Sequence, residues 1–131
     1  MPDIFDVCTM DEVCEILNQG KITKEQKYRI PIAVFSLAKE GDAVSGSLIS
    51  QMGYEEGKYA AAVLKRLHMC EEAVPAVLIG SLFQTKEPLL VDAYLSSLRE
   101  TAPGAYAVIP DVPPVMGAVA LALDFVRGRM K

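Results

Sequence analysis

The sequence predicts an α/β fold in which several helices are followed by a β-α-β-α unit with parallel strands. Two short apolar runs, at positions 74–79 and 105–109, have the length and composition of strands buried in a parallel sheet. Between these runs, Pro88 stands where a helix begins, and apolar side chains then recur with helical spacing up to Leu98. Two strands joined by a crossover helix are expected to run parallel with a right-handed connection.

Two capping boxes predict helix starts in the first part of the chain. Thr9 is followed three residues later by Glu12, and Thr23 is followed at the same spacing by Gln26. In such a pair each side chain bonds the other residue's backbone N–H, which satisfies two donors that a helix start leaves free. Two helices are therefore expected to begin at these positions.

The segment between positions 31 and 67 predicts further helices. Pro31 indicates a break or a fresh helix start, because proline damages a helix interior. Asp42 is the expected N-cap of the next helix. Its apolar residues follow a period of 3.6, but the three glycines that it contains leave open whether it is one helix or two: Gly46, Gly53 and Gly57.

The chain is predicted to form a single partial domain over residues 1–131. Residues 1–73 are mostly helical, and residues 74–131 form the strand–helix–strand–helix unit. The final helix, positions 115–126, is almost wholly apolar, and Asp124 is its one charged residue.

Composition and charge exclude several classes of protein. The formal net charge is -4 and the pI is near 5.0, which is a poor match for nucleic acid or anionic lipid. The most apolar run, 112–123, is shorter than the roughly 20 residues of a membrane helix. Three cysteines without a tight CxxC spacing favour free thiols over disulfides or a zinc site. Without a recognisable leader, the protein is expected to be cytoplasmic.

Gly80 and Ser81 follow the first predicted strand. Ligands of open α/β sheets bind beyond the carboxyl ends of the strands, and glycine allows the backbone to approach a ligand closely. Taken alone, the same two residues favour an ordinary strand-to-helix turn.

Gly117 and Ala118 open the final predicted helix, directly after Pro113 and Pro114. The prolines stiffen the entry, and Gly117 leaves room for a ligand or for tight packing. A rigid entry into a buried helix explains the same pattern.

The two glycine-bearing segments together, in this order and spacing, resemble a known family. The segments that carry the likeness are Val77–Phe83, Pro88–Leu90 and Pro113–Leu123, and a further likeness lies at Ala38–Ala43. They resemble the C-terminal end of N-acetylglucosamine kinases and BadF/BadG-type ATPases, over roughly residues 30 to 126. The family often has Gly-Gly where this chain has Gly80-Ser81.

This resemblance implies the C-terminal part of a ribonuclease-H-like, actin-like ATPase domain. It assigns nucleotide contacts to Gly80 and Ser81 in the adenosine motif, and to Gly117 and Ala118 beside the nucleotide. The implied ligand is ATP or ADP, with Mg²⁺, and the implied function is that of an ATP-dependent sugar kinase. An ATPase that activates another enzyme is the alternative, and a non-catalytic interaction or dimerisation module is a third reading.

The resemblance also implies that parts of the family's machinery are missing. The family's Asp-x-Gly-x-Thr phosphate hairpin and its catalytic half are absent from the sequence, so no residue is assigned a catalytic or metal-binding role. Two parallel strands with bare edges are prone to pair with another chain. The expected partners are therefore a nucleotide, and either the missing half or a second copy that pairs through the sheet edge.

Overall fold

The computed structural model describes residues 2–129, in which seven helices and two strands form. The elements are α1 (Pro2–Phe5), α2 (Met10–Asn18), α3 (Lys24–Lys39), α4 (Ala43–Arg66), β1 (Pro75–Val77), α5 (Ser81–Gln84), α6 (Pro88–Thr101), β2 (Tyr106–Val108) and α7 (Val115–Val126). They divide into two compact units, Met1–Gln51 and Met52–Lys131, and the boundary falls within α4.

The predicted α/β fold class is wrong. The described residues are 65% helical, with only two short parallel strands, and they do not form a ribonuclease-H-like domain with a β-α-β-α unit. Proline has no N–H for a sheet ladder, and it stands at the start of β1 and two residues after β2, at Pro75 and Pro110. The apolar runs are therefore paired over only three residues each, and most of the backbone is hydrogen-bonded within helices.

The two strands nevertheless pair in parallel, as predicted for this segment. Pro75 lies opposite Tyr106, and Val77 lies opposite Val108. The ladder continues one residue beyond β1, where the Leu78 N–H donates to the Val108 carbonyl at 2.9 Å. The carboxyl ends of both strands consequently lie at the same edge of this small sheet.

The first unit is built by α1, α2, α3 and the start of α4. Its buried centre consists of Ile4, Phe5 and Val13, and partly buried apolar side chains pack around it: Val7, Ile16, Ile22, Ile30 and Ala33. Both predicted capping boxes are confirmed, since the Glu12 N–H donates to Thr9 Oγ1 and the Gln26 N–H donates to Thr23 Oγ1.

The break predicted at Pro31 is wrong, because α3 runs through this residue. An interior proline removes one backbone hydrogen bond and costs about 3 kcal/mol. Ile30 and Ala33, on either side of Pro31, both pack against the core of the first unit. The continuous helix is thus held by packing that a break would disrupt.

The predicted N-cap at Asp42 is confirmed, and the helix that follows is a single one. The Ser45 N–H donates to Asp42 Oδ2 at 2.7 Å. Hydrogen bonding from the Ser45 side chain, and then from this N–H, lowers the pKa of the Asp42 carboxyl. Gly41, with φ of +95°, ends the preceding turn in a conformation that favours glycine. From there α4 continues without interruption to Arg66.

In the second unit, α4 and α6 meet along a strip of small residues. A Cβ placed on Gly53 would overlap the Leu90 carbonyl oxygen and lie 3.2 Å from Ala93 Cβ. A Cβ on Gly57 would overlap the Tyr94 carbonyl oxygen. The glycines that leave α4 weak as an isolated helix are therefore what allows the two backbones to come so close.

The core of the second unit lies between α6, the end of α4 and one face of the sheet. Its buried members are Ala61, Leu78, Tyr94, Leu98, Ala102 and Ala105. Phe83 packs on it, with its ring edge-on to Tyr94 at 6.0 Å between centroids. This core holds the strands, and so it positions the loops that follow them.

None of the helices among residues 2–129 has the length and apolar character needed to cross a membrane.

Candidate functional site

The loops that follow β1 and β2 leave the sheet at the same edge and touch each other. Gln84 Nε2 donates to the Pro110 carbonyl oxygen at 3.1 Å. Lys86 Nζ donates to Asp111 Oδ1 at 2.8 Å. Each of these contacts joins residues 25 or 26 positions apart in the chain. The structure therefore brings the loop that starts at Gly80 against the segment that leads into α7.

Gly80 is the residue of this loop that the backbone itself requires. Its φ of +123° and ψ of 160° lie in a region of backbone conformation that residues other than glycine rarely adopt. A Cβ there would meet nothing within 4 Å. Gly80 and the adjacent Ser81 are both exposed. Local conformation accounts for this glycine, and the open space beside it leaves its backbone accessible.

Gly117, by contrast, has no steric or conformational reason to be glycine. It lies in the first turn of α7, where a Cβ would meet nothing within 4 Å, and its φ is not positive. Glycine within a helix costs up to about 1 kcal/mol relative to alanine. Its N–H donates to the Pro114 carbonyl at 3.0 Å, and Ala118 beside it is exposed. The space beside Gly117 is therefore open.

The ion pair between Lys86 and Asp111 sets the electrostatics of the two loops. The hydrogen bond and the positive charge of Lys86 hold the pKa of the Asp111 carboxyl below its ordinary value. Lys86 has φ of +51°, a left-handed conformation that is uncommon for a residue with a side chain. Both side chains are largely exposed, so salt screens their attraction and the pair contributes little to global stability.

The contact between the loops is expected to loosen in acid. Because the folded-state pKa of Asp111 is lowered, the stabilisation is present above the unfolded aspartate pKa of about 4 and is lost as the pH falls through the lower folded value. NMR titration of the side-chain carboxyls measures this pKa directly. In the variant Lys86→Met, the pKa of Asp111 should rise toward its ordinary value.

Asp42 provides an internal control for that titration. Its pKa is also lowered, but by the hydrogen bond from Ser45, and Lys86 takes no part. The Lys86→Met change should therefore leave the Asp42 titration unaltered. An unchanged Asp111 pKa in this variant would contradict the contact between the loops.

Few side chains at these loops are of the kinds that bind metal ions. Among residues 2–129, no group of three or more His, Cys, Asp and Glu side chains is placed to hold a metal ion. Mg²⁺ usually keeps several waters and binds through one or two carboxylates plus substrate phosphates. Asp111 is a carboxylate of these loops, and Lys86 is its present partner.

Two residues of this region were not among those predicted from the sequence as ligand contacts. They are Gln84, which donates to the Pro110 carbonyl, and Asp111, which accepts from Lys86. Each is a polar residue in a segment that the sequence identifies only as a turn or loop. Since they lie 27 positions apart, no short motif links them. Only the parallel pairing of β1 and β2 makes them neighbours.

No protein-family model, curated protein or solved structure significantly matches this chain.

Proposed function

We propose that the second unit binds an adenine nucleotide at the loops that follow β1 and β2. The proposal assigns contacts to the backbone of Gly80 and Ser81 and to the first turn of α7 at Gly117 and Ala118. The observation that supports it is the pair of contacts, Gln84 with Pro110 and Lys86 with Asp111, which join the loop after β1 to the loop after β2.

The chemistry of these loops supports a phosphate-bearing ligand. Two glycines, Gly80 and Gly117, have open space where a side chain would stand, so a phosphate can approach the backbone closely there. Lys86 supplies a positive charge within the same loop, and Ser81 a hydroxyl. The Asp111 carboxylate would hold a Mg²⁺ ion that the nucleotide brings, and Lys86 would offset negative charge on the phosphates.

The family resemblance extends this proposal to an ATP-dependent sugar kinase, with N-acetylglucosamine or a related amino sugar as substrate. An ATPase component that activates another enzyme is the alternative within the same family. In both cases this chain supplies nucleotide contacts and no catalytic residue. Either role would place the protein in the cytoplasm, where ATP is abundant.

Calorimetry with ADP and Mg²⁺ tests nucleotide binding. The chain should give a saturable heat, and the variants Gly80→Val and Gly117→Val should lose it. Gly117→Val is the sharper of the two, because the added side chain meets open space and the backbone conformation does not oppose it. A loss of binding by this variant therefore reports on the site and not on the fold.

Gly41→Val is the matched control for Gly80→Val. Gly41 also has positive φ, at +95°, and open space around it, but it belongs to the first unit. The Gly41→Val change introduces comparable backbone strain in the other unit, and this variant should keep ADP binding. Absence of a saturable heat for the unmodified chain, or unchanged binding by both site variants, would refute the proposal.

A second function, that of an interaction or dimerisation module, is favoured by the exposed apolar surface of the second unit. Four apolar side chains on one face of the sheet are exposed, namely Val77, Ile79, Tyr106 and Val108. Parallel sheets are ordinarily covered on both faces, and short sheets with bare edges pair with other chains. Self-association is the expected property, and it would not require nucleotide.

A further inference from the structure

We infer that two copies of this chain associate by laying α7 of each copy on the uncovered sheet face of the other. This inference rests on the second function proposed above, and it names the surfaces and the partner. The uncovered sheet face is defined by Val77, Ile79, Tyr106 and Val108. The occupant is α7, which is Val115–Val126 of the second copy.

The side chains of the sheet divide cleanly between its two faces. Ala76 and Leu78 of one strand segment, with Ala105 and Ala107 of the other, pack into the core of the second unit. The residues that come directly after each of these point the opposite way, since successive side chains of a strand alternate. These are the four of the uncovered face, which are 38% to 54% exposed and carry no charge.

The helix α7 has the composition of a buried helix and the exposure of a surface helix. Asp124 is its one charged residue. Its large apolar side chains are exposed on every side, and their exposure runs from 44% at Val119 to 82% at Val126. None of its residues belongs to the apolar clusters of the described chain. A helix that is apolar all round is normally covered by other protein.

The segment before α7 disfavours docking on the sheet of the same copy. Pro113 and Pro114 stiffen it directly before the helix. Gln84 and Lys86 hold its beginning, at Pro110 and Asp111. In the structure both α7 and the sheet face of the same chain are exposed. Only six residues separate β2 from α7, and short hinge loops favour exchange of the element that they carry between copies.

The surfaces are large enough for a weak dimer. Seven large apolar side chains of α7 and four on the sheet face are exposed, each by between 38% and 82%. A fully exposed apolar side chain presents roughly 100 Å², and α7 turns one side to the sheet, so each copy buries on the order of 400 Å². A reciprocal contact of roughly 800 Å² lies in the range of weak, transient interfaces.

Charge favours a second copy over a lipid surface. Within α7 there is no lysine or arginine, whereas helices that lie on membranes carry a basic face. The chain's net charge of -4 also repels anionic lipid. That charge opposes self-association only weakly, because the two docking surfaces hold a single carboxylate between them.

Light scattering and sedimentation velocity on the full chain, without nucleotide, test the inference. We expect a species of twice the 14.2 kDa chain mass at micromolar concentration. Leu121→Glu on α7 and Val77→Lys on the sheet face should each give folded monomers, as judged by circular dichroism. Burying an unpaired charge should raise the dimer dissociation constant by at least roughly 100-fold. Ile32→Glu, at a 69% exposed position of α3, should remain dimeric.

A mixing experiment distinguishes exchange of α7 from any other contact. In a pair made of one Leu121→Glu copy and one Val77→Lys copy, one contact is unaltered and the other brings opposite charges together. The mixture should therefore form dimers that neither variant forms alone. Failure of the mixture to dimerise, or dimers that survive Leu121→Glu, would refute the exchange while leaving self-association by another surface. A monomeric unmodified chain, including one that floats with anionic vesicles, would refute both.

Discussion

Replacing Gly57 with alanine is expected to lower the free energy of unfolding of the second unit by about 2 kcal/mol. The new Cβ would overlap the Tyr94 carbonyl oxygen and lie 2.9 Å from Ser97 Cβ. Because the obstacle is backbone, no change of rotamer relieves it, and α4 must move away from α6. Overpacking of this kind costs up to about 3 kcal/mol, and the better helix propensity of alanine returns about 1.

Thermal unfolding measures this effect as a fall in midpoint of roughly 10 °C for a unit of this size. Gly117→Ala is the matched control, since it makes the same substitution in a helix where the Cβ meets nothing within 4 Å. That variant should be as stable as the unmodified chain or slightly more stable. If Gly57→Ala were also neutral, the close contact between α4 and α6 would be wrong.

Replacing Leu98 with alanine should have the largest effect of all, a loss of about 3 kcal/mol. Leu98 is fully buried in the core of the second unit, where Tyr94, Ala102 and Ala105 are its companions. Removing three carbons there forfeits their transfer free energy and leaves a cavity that the surrounding side chains fill only in part. Urea denaturation of the purified chain measures the loss as a lower transition midpoint.

Leu89→Ala on the same helix is the control for this loss. Leu89 is 42% exposed, so its truncation leaves no closed cavity and should change stability by no more than about 0.5 kcal/mol. Equal losses for the two variants would mean that α6 buries a different face from the one described.

The sequence predicts helix starts correctly where the stabilising contacts join residues only a few positions apart. The capping boxes at Thr9 and Thr23 and the N-cap at Asp42 satisfy their own helix starts, so their chemistry is complete in the sequence. The predicted break at Pro31 was wrong because distant contacts outweigh the local effect of proline. An interior proline does destabilise the helix, but side chains on both sides of Pro31 pack in one core, which only the folded unit shows.

The fold class was wrong because a short apolar run says nothing about how many strands will pair with it. Residues 74–79 and 105–109 do meet in parallel, but over three residues each and with no third strand among the described residues. The candidate site likewise combines a feature that the local sequence indicates with a contact that it does not. Gly80 is recognisable as a turn glycine, whereas the contact of Gln84 with Pro110 depends on strands that lie about 30 residues apart.

The sequence by itself determined where α2, α3, α4, α6 and α7 begin, because caps and helical periodicity are interactions between near neighbours. Only the tertiary structure decided why Gly53 and Gly57 are glycines, which loops lie together, and which apolar residues stay uncovered. Those properties depend on contacts between residues far apart in the chain. A glycine that weakens a helix in isolation can therefore be the residue that lets it pack against another.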